Sequence, residues 1–169
     1  MCGIALVLAR GDPAGARGDR TGPALLDALR HRGPDAQRAE VCTLGGGHQA
    51  VIAATRLAIR DPSAAATQPF HLANGTSVLA YNGEIYEQPT GMSRAWRTRS
   101  DSEWVATAAS EHGAGAAAKL RGMFAWGFVR PADGSVLIAR DRFGMKPLYL
   151  DRAQPDGIGF ASEIRALLR

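Results

Sequence analysis

The sequence predicts an α+β protein in which two antiparallel sheets are stacked and helices cover their outer faces. Many short apolar runs have the length of strands, and turn signals such as Gly-Gly-Gly and Asn-Gly separate several of them. Only a few stretches have helical periodicity, which favours helical layers outside a sheet core. With 169 residues, no internal repeat and no low-complexity linker, the chain is expected to form one domain over residues 1–169.

The first half of the chain is expected to supply three strands and one short helix. The apolar run Gly3–Ala9 predicts a buried strand, and the Gly- and Pro-rich residues 10–23 predict a loop. A short helix is expected over Ala24–Leu29, because its leucines share one face. Two further strands and the turn between them are expected at Arg38–Leu44, Gln49–Ile59 and Gly45-Gly46-Gly47.

The second half is expected to contain one longer helix and a series of short strands. A hairpin turn at Asn74-Gly75 precedes a strand over Ser77–Tyr81. Ser100 lies where a helix N-cap belongs, and a helix is expected from Asp101 to about Ala118, weakened by its Gly-Ala-Gly segment. The remaining predicted elements are strands at Met123–Val129, Val136–Ala139, Leu148–Leu150 and Gly159–Ala161, and a helix over Ser162–Leu168 capped by Ser162.

Composition argues against several functional classes. The net charge is +4, but the basic residues are spread along the chain without an aromatic-basic repeat, so nucleic-acid binding is not expected. No apolar run has the length of a membrane span, and the run Gly3–Ala9 lacks the flanks of a signal peptide. No metal is expected, because no ligand spacing relates the four histidines, His31, His48, His71 and His112, and no other cofactor is expected either.

The N-terminus carries the first chemical signal. Cys2 has a small side chain, so Met1 is expected to be removed, leaving a thiol and a free α-amino group on one residue. A thiolate is a nucleophile, and an α-amino group with a pKa of about 7.7–8.0 can act as its base. A disulfide with Cys42 would block this chemistry, which favours a reducing cytoplasm. On these residues alone, an ordinary second-position cysteine remains an alternative.

Several further segments join Met1-Cys2-Gly3-Ile4 in a pattern that extends over almost the whole chain. In order they are His31-Arg32-Gly33-Pro34-Asp35, Thr55–Ile59, Gln68-Pro69, Tyr81–Tyr86, Ser100–Glu103, Leu120–Ala125, Arg140–Gly144, Lys146–Tyr149 and Ala161-Ser162-Glu163. Together they resemble the glutaminase domain of class II glutamine amidotransferases, in the asparagine synthetase branch. The resemblance implies an N-terminal-nucleophile hydrolase fold, a four-layer α/β/β/α sandwich of two stacked antiparallel sheets.

The resemblance also implies residue roles. Cys2 would attack the side-chain amide of L-glutamine, and the Asn82 side chain with the Gly83 backbone N–H would stabilise the resulting oxyanion. Arg56 would bind the substrate α-carboxylate, because a guanidinium can hold a carboxylate bidentately. Glu84 and Asp101 would lie near the α-ammonium, with Leu57 and Ile59 in the same substrate site.

Each of these residues also has an ordinary interpretation. Arg56 would be a surface charge at a strand end, Asp101 a helix-capping residue, and Asn82-Gly83 a hairpin turn. Their joint occurrence with a penultimate cysteine favours the functional interpretation. A charged network that shapes the domain or its interface is expected from Arg32, Asp35, Arg140, Asp141 and Glu163.

Some features depart from the family pattern or are missing. The segment after Tyr86 is short and contains Pro89 and Gly91, and Arg99 stands where a small residue is usual, which affects the expected wall of the glutamine pocket. Neither a Ser-Gly-Gly-x-Asp-Ser loop nor a Walker-type loop occurs in the sequence. Asparagine synthetases bind ATP through a Ser-Gly-Gly-x-Asp-Ser loop in a second domain, so the resemblance implies a partner that is an ATP-dependent synthetase subunit or domain and uses the ammonia.

The oligomeric state and the ammonia acceptor stay open, and a homodimer is one option. Two other functions also stay open. One is a catalytically weak or silent module that supports a synthetase, and the other is a hydrolase of a different amide. The presence of both Arg56 and Asp101 favours a free amino acid as substrate.

Overall fold

The computed structural model describes residues 1–10, 16–73, 75, 77–89, 95–152 and 157–168. The described strands form two antiparallel sheets. Sheet A has the order β2-β3-β1-β9-β8, and sheet B has the order β4-β5-β6-β7. The strands are β1 Gly3–Arg10, β2 Ala36–Thr43, β3 His48–Arg56, β4 Phe70–His71, β5 Val78–Ile85, β6 Gly122–Arg130, β7 Ser135–Arg140, β8 Tyr149–Asp151 and β9 Gly157–Ala161.

The two sheets stack face to face with helices outside them. The α-helices are α1 Ala16–Leu29, α2 Asp101–His112, α3 Ala116–Lys119 and α4 Ile164–Leu167. Helices α1 and α4 pack on the outer face of sheet A. Helices α2 and α3 supply apolar residues to the core on the outer face of sheet B. The order of layers is α/β/β/α, so the predicted four-layer sandwich is confirmed.

Successive side chains of a strand point to opposite faces of its sheet. One face of each sheet contributes to the core between the sheets, and the other packs against the outer helices. In β1, Ile4 and Leu6 point into the core between the sheets, whereas Ala5 points toward α1 and α4. Gly127 of β6 makes room for this packing, because a Cβ there would lie 2.5 Å from the ring of Phe160. The even-numbered residues of β1, β3 and β5 thus share the inter-sheet face.

The predicted loop over residues 10–23 is wrong in its described second part, since α1 begins at Ala16. Gly22 and Pro23, which suggested a loop, lie inside this helix. A Cβ on Gly22 would meet the Cβ of Ala39 at 3.0 Å, so the glycine lets α1 approach β2 closely. Burial of Leu25 and Leu29 against sheet A outweighs the unfavourable local propensity.

Two predicted strand boundaries also differ. Strand β3 ends at Arg56, and Ile59 is 68% exposed beyond it. Strand β5 extends to Ile85, so Asn82 and Gly83 lie within a strand and the hairpin-turn alternative for them is wrong. Of the predicted Asn74-Gly75 turn, Asn74 lies outside the described residues, and Gly75 has a positive φ of 66°.

The predicted helix from Asp101 to about Ala118 is confirmed as two segments, with an interruption at Gly113, whose φ is 53°. Ser100 caps α2 as expected, because its side chain accepts the Ser102 N–H. Ser162 is not the cap of the last helix. Its Oγ accepts the Ile4 N–H and so joins this segment to β1. No helix in the described ranges is long and apolar enough to cross a membrane.

Candidate active site

A cleft of about 200 Å³ opens where the core between the sheets ends. The inter-sheet positions of β3 and β5 continue from apolar residues to Arg56 and Asn82 at this end, and Cys2 precedes β1 there. Strand alternation therefore brings polar groups from separate parts of the chain to one place. All eight residues assigned to the site from the sequence line the cleft, namely Cys2, Arg56, Leu57, Ile59, Asn82, Gly83, Glu84 and Asp101.

The Cys2 thiol is held against the main chain of Leu57. The Leu57 N–H donates to the Cys2 Sγ over 3.4 Å, and the Sγ lies 3.8 Å from the Leu57 carbonyl oxygen. On the other side of the residue, Arg32 Nε donates to the Cys2 carbonyl over 3.0 Å. The main chain of Cys2 is therefore fixed although chain ends are often poorly ordered.

Gly3 lets this terminus approach β3. Its N–H donates to Thr55 Oγ1 over 3.2 Å, and Thr55 Oγ1 donates in turn to the Leu29 carbonyl over 3.0 Å. A Cβ on Gly3 would lie 2.6 Å from the same Thr55 oxygen. A larger residue would push the start of β1, and the adjacent Cys2, away from β3.

The hydrogen bonds of β5 leave one backbone donor facing the cleft. The Tyr81 N–H donates to Gln68 Oε1 over 2.6 Å, and the Ile85 N–H donates to Asp101 Oδ2 over 2.9 Å. Both donors point away from β6. Because backbone donors alternate along a strand, the N–H of Gly83, midway between them, points the same way.

The pairing with β6 agrees with this direction. Gly83 lies opposite Phe124, whose N–H instead donates to Asp141 Oδ2 over 3.2 Å. The glycine is also required sterically, because a Cβ would lie 2.3 Å from the Met123 carbonyl oxygen. Gly83 therefore places a backbone N–H at the cleft and packs tightly against the neighbouring strand.

Asn82 offers a second donor from the inter-sheet face. Its side chain is 2% exposed, yet its Nδ2 has no hydrogen-bond partner among the residues that the structure describes. Buried amide groups are usually satisfied, because an unpaired one costs free energy. An unpaired amide beside Gly83, in the same cleft as Cys2, is suited to donate to an oxygen atom of a ligand.

Arg56 is buried, and backbone oxygens hold its guanidinium. Its Nη1 donates to the Ser63 carbonyl over 3.1 Å, and its Nη2 donates to the Asp61 carbonyl. In the described part of the chain no carboxylate forms an ion pair with Arg56. The guanidinium is thus fixed in position, and its charge is available to an anionic ligand.

The Asp61 carboxylate organises the loop that holds Arg56. It accepts the N–H groups of Ser63 and Arg99 over 2.9 and 2.8 Å. Hydrogen bonds from the Ser63 side chain and from these backbone groups lower the pKa of Asp61 to about 2. Arg99 contributes to this loop through its backbone N–H, which any residue type except proline provides.

Asp101 is engaged more fully than the sequence indicates. Its Oδ2 accepts the Tyr81 hydroxyl and the Ile85 N–H, both over 2.9 Å, and lies 3.3 Å from Arg60 Nη1. Burial, followed by the neighbouring Asp101 charge, raises the pKa of Tyr81 far above its usual value. Glu84, in contrast, makes no side-chain hydrogen bond or ion pair with the described residues.

Comparison with known proteins identifies the family. The family sequence model for the glutamine amidotransferase domain matches residues 1–169. The chain belongs to the glutamine amidotransferase domain family. It is 37% identical over 174 residues to asparagine synthetase [glutamine-hydrolyzing] 3 of Arabidopsis thaliana, covering 99% of this chain and 28% of the relative.

Other relatives have the same kind of name. The amidotransferase domain is 35% identical to asparagine synthetase [glutamine-hydrolyzing] 2 of Oryza sativa subsp. japonica, covering 99% of this chain and 28% of the relative. For the asparagine synthetase [glutamine-hydrolyzing] of Sandersonia aurantiaca the identity is 34%, with 99% of this chain and 31% of the relative covered. The chain thus spans less than a third of the length of these relatives.

Two charged groups of the amidotransferase domain support the backbone around the site. Arg32, which holds the Cys2 carbonyl, donates to Glu163 Oε1 over 3.1 Å, and His31 Nε2 lies 2.7 Å from the same oxygen. Burial works to raise the pKa of Glu163, but hydrogen bonds from Arg32 and His31 leave it lowered. Asp35 accepts the Ala58 N–H over 2.7 Å and so fixes the segment after β3.

The second group shapes the loop after β7. Asp141 accepts the N–H groups of Phe143, Met145 and Lys146, and these bonds help to keep its pKa low although burial works to raise it. Arg140 donates to the carbonyls of Gly144 and Lys146 in the same loop. The loop brings the Lys146 side chain to the cleft.

Several residues of the cleft are not among those assigned to the site from the sequence, although some lie in segments of the family pattern. They are Met1, Arg60, Asp61, Gln68, Tyr81, Ser100, Ser102 and Lys146. The position of Tyr81 directly before Asn82 was a usable signal, since it belongs to the same strand. Arg60 gave none, because arginines are frequent along the whole chain. No group of three or more potential metal ligands occurs among the described residues.

Proposed function

We propose that residues 1–169 form a single glutaminase domain, which hydrolyses L-glutamine to L-glutamate and ammonia through a Cys2 thioester. The observation that carries this proposal is the cleft itself, in which a thiol at position 2 lies with an unpaired Asn82 amide and a fixed Arg56. Membership of the glutamine amidotransferase domain family supports it, as do relatives whose names specify glutamine hydrolysis.

In the proposed reaction, removal of Met1 exposes the α-amino group of Cys2. This amine takes the thiol proton, and the sulfur attacks the side-chain amide carbon of glutamine. The carbonyl oxygen becomes an oxyanion that accepts hydrogen bonds from Asn82 Nδ2 and the Gly83 N–H. Collapse of the intermediate breaks the carbon–nitrogen bond of the amide. The protonated α-amino group of Cys2 gives its proton to the leaving nitrogen, which departs as ammonia. Water then hydrolyses the thioester and restores the thiol.

The rest of the cleft would hold the amino-acid end of glutamine. Arg56 is proposed to bind the α-carboxylate, because its guanidinium is fixed and lacks an ion-pair partner among the described residues. Glu84 and Asp101 are proposed to lie near the α-ammonium. Leu57 and Ile59 would form part of the pocket wall.

The ammonia is proposed to pass to an ATP-dependent synthetase domain or subunit. Free ammonia is mostly protonated near neutral pH and is then a poor nucleophile, so sheltered delivery to a partner makes chemical sense. The asparagine synthetases that resemble this chain support the proposal. The chain matches only 28% of their length, so most of each relative lies outside the part that resembles this domain. A reducing cytoplasm is the proposed compartment, because Cys2 must keep a free thiol.

The primary test combines labelling, mass spectrometry and a glutaminase assay. The intact protein should lack Met1, and a glutamine-like diazoketone should add once, at Cys2. Cys42 should stay unmodified, because burial and the nearby Glu40 charge raise the pKa of its thiol to about 11. Cys2→Ala should abolish hydrolysis. Full activity in that variant, or labelling of Cys42 alone, would refute the assignment.

Delivery to a synthetase needs a separate experiment. With ATP and the co-purified synthetase, nitrogen from amide-labelled glutamine should appear in an amidated product, and Cys2→Ala should block this transfer. Added ammonium should restore product formation in the Cys2→Ala complex. If this chain alone bound ATP and formed an amide, the two-component proposal would be wrong.

A further inference from the structure

Arg60 is a charged residue that lines the cleft beside Asp101. It follows the end of β3, and groups from three parts of the chain surround its guanidinium. Its Nη1 donates to the Ile85 carbonyl over 2.8 Å and lies 3.3 Å from Asp101 Oδ2. Its Cζ lies 5.3 Å from the centre of the Trp104 ring, a distance typical of a cation–π contact. The side chain is 37% exposed and makes three kinds of contact.

The contact with Arg60 changes what Asp101 can offer a ligand. Asp101 Oδ2 already accepts hydrogen bonds from the Tyr81 hydroxyl and the Ile85 N–H. The second carboxylate oxygen, Oδ1, is still able to accept a hydrogen bond. Arg60 nevertheless compensates the negative charge of this nearly buried carboxylate. An incoming ammonium group would therefore gain less from Asp101 than from a carboxylate without a cationic partner.

Two other charged residues of the cleft have no such pairing. Arg56 has no carboxylate partner, and Glu84 has no hydrogen-bond or ion-pair partner, within the described ranges of the chain. The Asp61 carboxylate also lines the cleft, but backbone N–H groups hold it. An α-carboxylate thus meets an available cation, whereas Glu84 is the carboxylate most available to an α-ammonium. The charge pattern favours recognition of the carboxylate over recognition of the ammonium.

We infer that Arg60 is a specificity-determining residue that reduces the requirement of the site for an α-ammonium group. Beside L-glutamine, the cleft would then accept γ-amides that keep the carboxylate but lack the amino group, such as glutaramate. This inference rests on the proposed function, because it concerns the amide substrate of the same site. It extends that function to a wider substrate class.

The test measures binding in the Cys2→Ala protein, where no turnover occurs. Dissociation constants for L-glutamine and glutaramate are measured by calorimetry with and without the additional change Arg60→Met. Removing Arg60 frees the charge of Asp101, so glutamine should bind about two- to fivefold more tightly, as expected for a half-exposed ion pair. Glutaramate has no ammonium, so its binding should stay the same or weaken.

Arg97→Met provides a matched control. Arg97 makes the same three kinds of contact, with the Glu103 carboxylate at 3.4 Å, the His71 carbonyl at 2.7 Å and the Phe70 ring at 5.5 Å. It is 47% exposed and does not line the cleft. This variant should leave the ratio of the two dissociation constants unchanged. Arg60→Gln, which removes the charge but keeps a polar side chain, should shift the ratio in the same direction as Arg60→Met and replaces it if Arg60→Met does not fold.

The outcomes separate this inference from the proposed function. An equal change for both ligands in Arg60→Met, no change in either, or the same ratio shift in Arg97→Met would overturn the role of Arg60. Failure of Cys2→Ala to bind either ligand would overturn it as well. If both ligands bind as expected but the protein with Cys2 hydrolyses neither, the substrate preference stands and the proposed glutaminase activity fails.

Discussion

Asn82→Ala should separate catalysis from stability. The substitution removes a side-chain donor aimed at the proposed oxyanion, and loss of one such donor typically lowers kcat about 10²–10³-fold, or about 3–4 kcal/mol of barrier. The Nδ2 atom is buried and unpaired among the described residues, so the folded protein loses no hydrogen bond from that atom. An unsatisfied buried group costs about 1–3 kcal/mol, which offsets the packing lost with the side chain. The stability of the variant should therefore stay within about 1 kcal/mol of the parent.

Steady-state glutaminase kinetics and urea unfolding of the same preparation test both expectations. If Asn82 acts mainly on the transition state, kcat falls while KM changes only a few-fold. Asn82→Asp is the matched control, because it keeps the size and shape of the side chain but lacks the N–H donors. It should lose at least as much kcat as the alanine variant. A large rise in KM with normal kcat would refute the oxyanion role, and a loss of several kcal/mol in stability would show a structural role for the amide.

Three further changes test other parts of the site. Arg56→Met should raise KM for glutamine at least about tenfold in kinetic assays, with a smaller effect on kcat, because a charge-assisted bond to the carboxylate is lost. Gly83→Ala should lower the unfolding midpoint and the activity together, since its Cβ would lie 2.3 Å from the Met123 oxygen, whereas Gly45→Ala, with open space around it, should not. Asp61 has a pKa lowered to about 2, so its ionised form stabilises the fold above about pH 4 and this contribution disappears as the pH falls toward 2. The difference in unfolding free energy between the parent and Asp61→Asn should accordingly be largest near neutral pH and shrink in acid, and a difference independent of pH would contradict this.

Local patterns predicted those elements whose signals agree with their tertiary environment. The start of α2 is one example, because Ser100 is an N-cap by type and accepts the Ser102 N–H in the structure. The start of α1 is a counter-example. Gly22 and Pro23 are local loop signals, but close packing on sheet A makes that segment helical. The difference arises because a sequence pattern does not report what a glycine will be packed against.

The same limit applies to side-chain partners in the cleft. The family pattern selects Asp101 and Asn82 correctly as residues that line one cavity, while their roles stay predictions. It does not reveal that Asp101 is already paired with Arg60. That contact depends on how the chain turns after β3 and on the position of α2, and neither follows from residue spacing.

The position of the cleft follows from the period of the strands. Even-numbered residues of β1, β3 and β5 build the apolar core between the sheets, and continuing the alternation brings Cys2, Arg56 and Asn82 to its open end. Backbone groups form hydrogen bonds with the thiol and the guanidinium there. Both groups are therefore held in place without the free-energy penalty of an unpaired buried polar group. The Asn82 amide alone breaks this rule among these three, since its nitrogen stays unpaired in the described structure. A buried donor that the fold leaves unsatisfied is what a site needs when its oxygen partner exists only during the reaction.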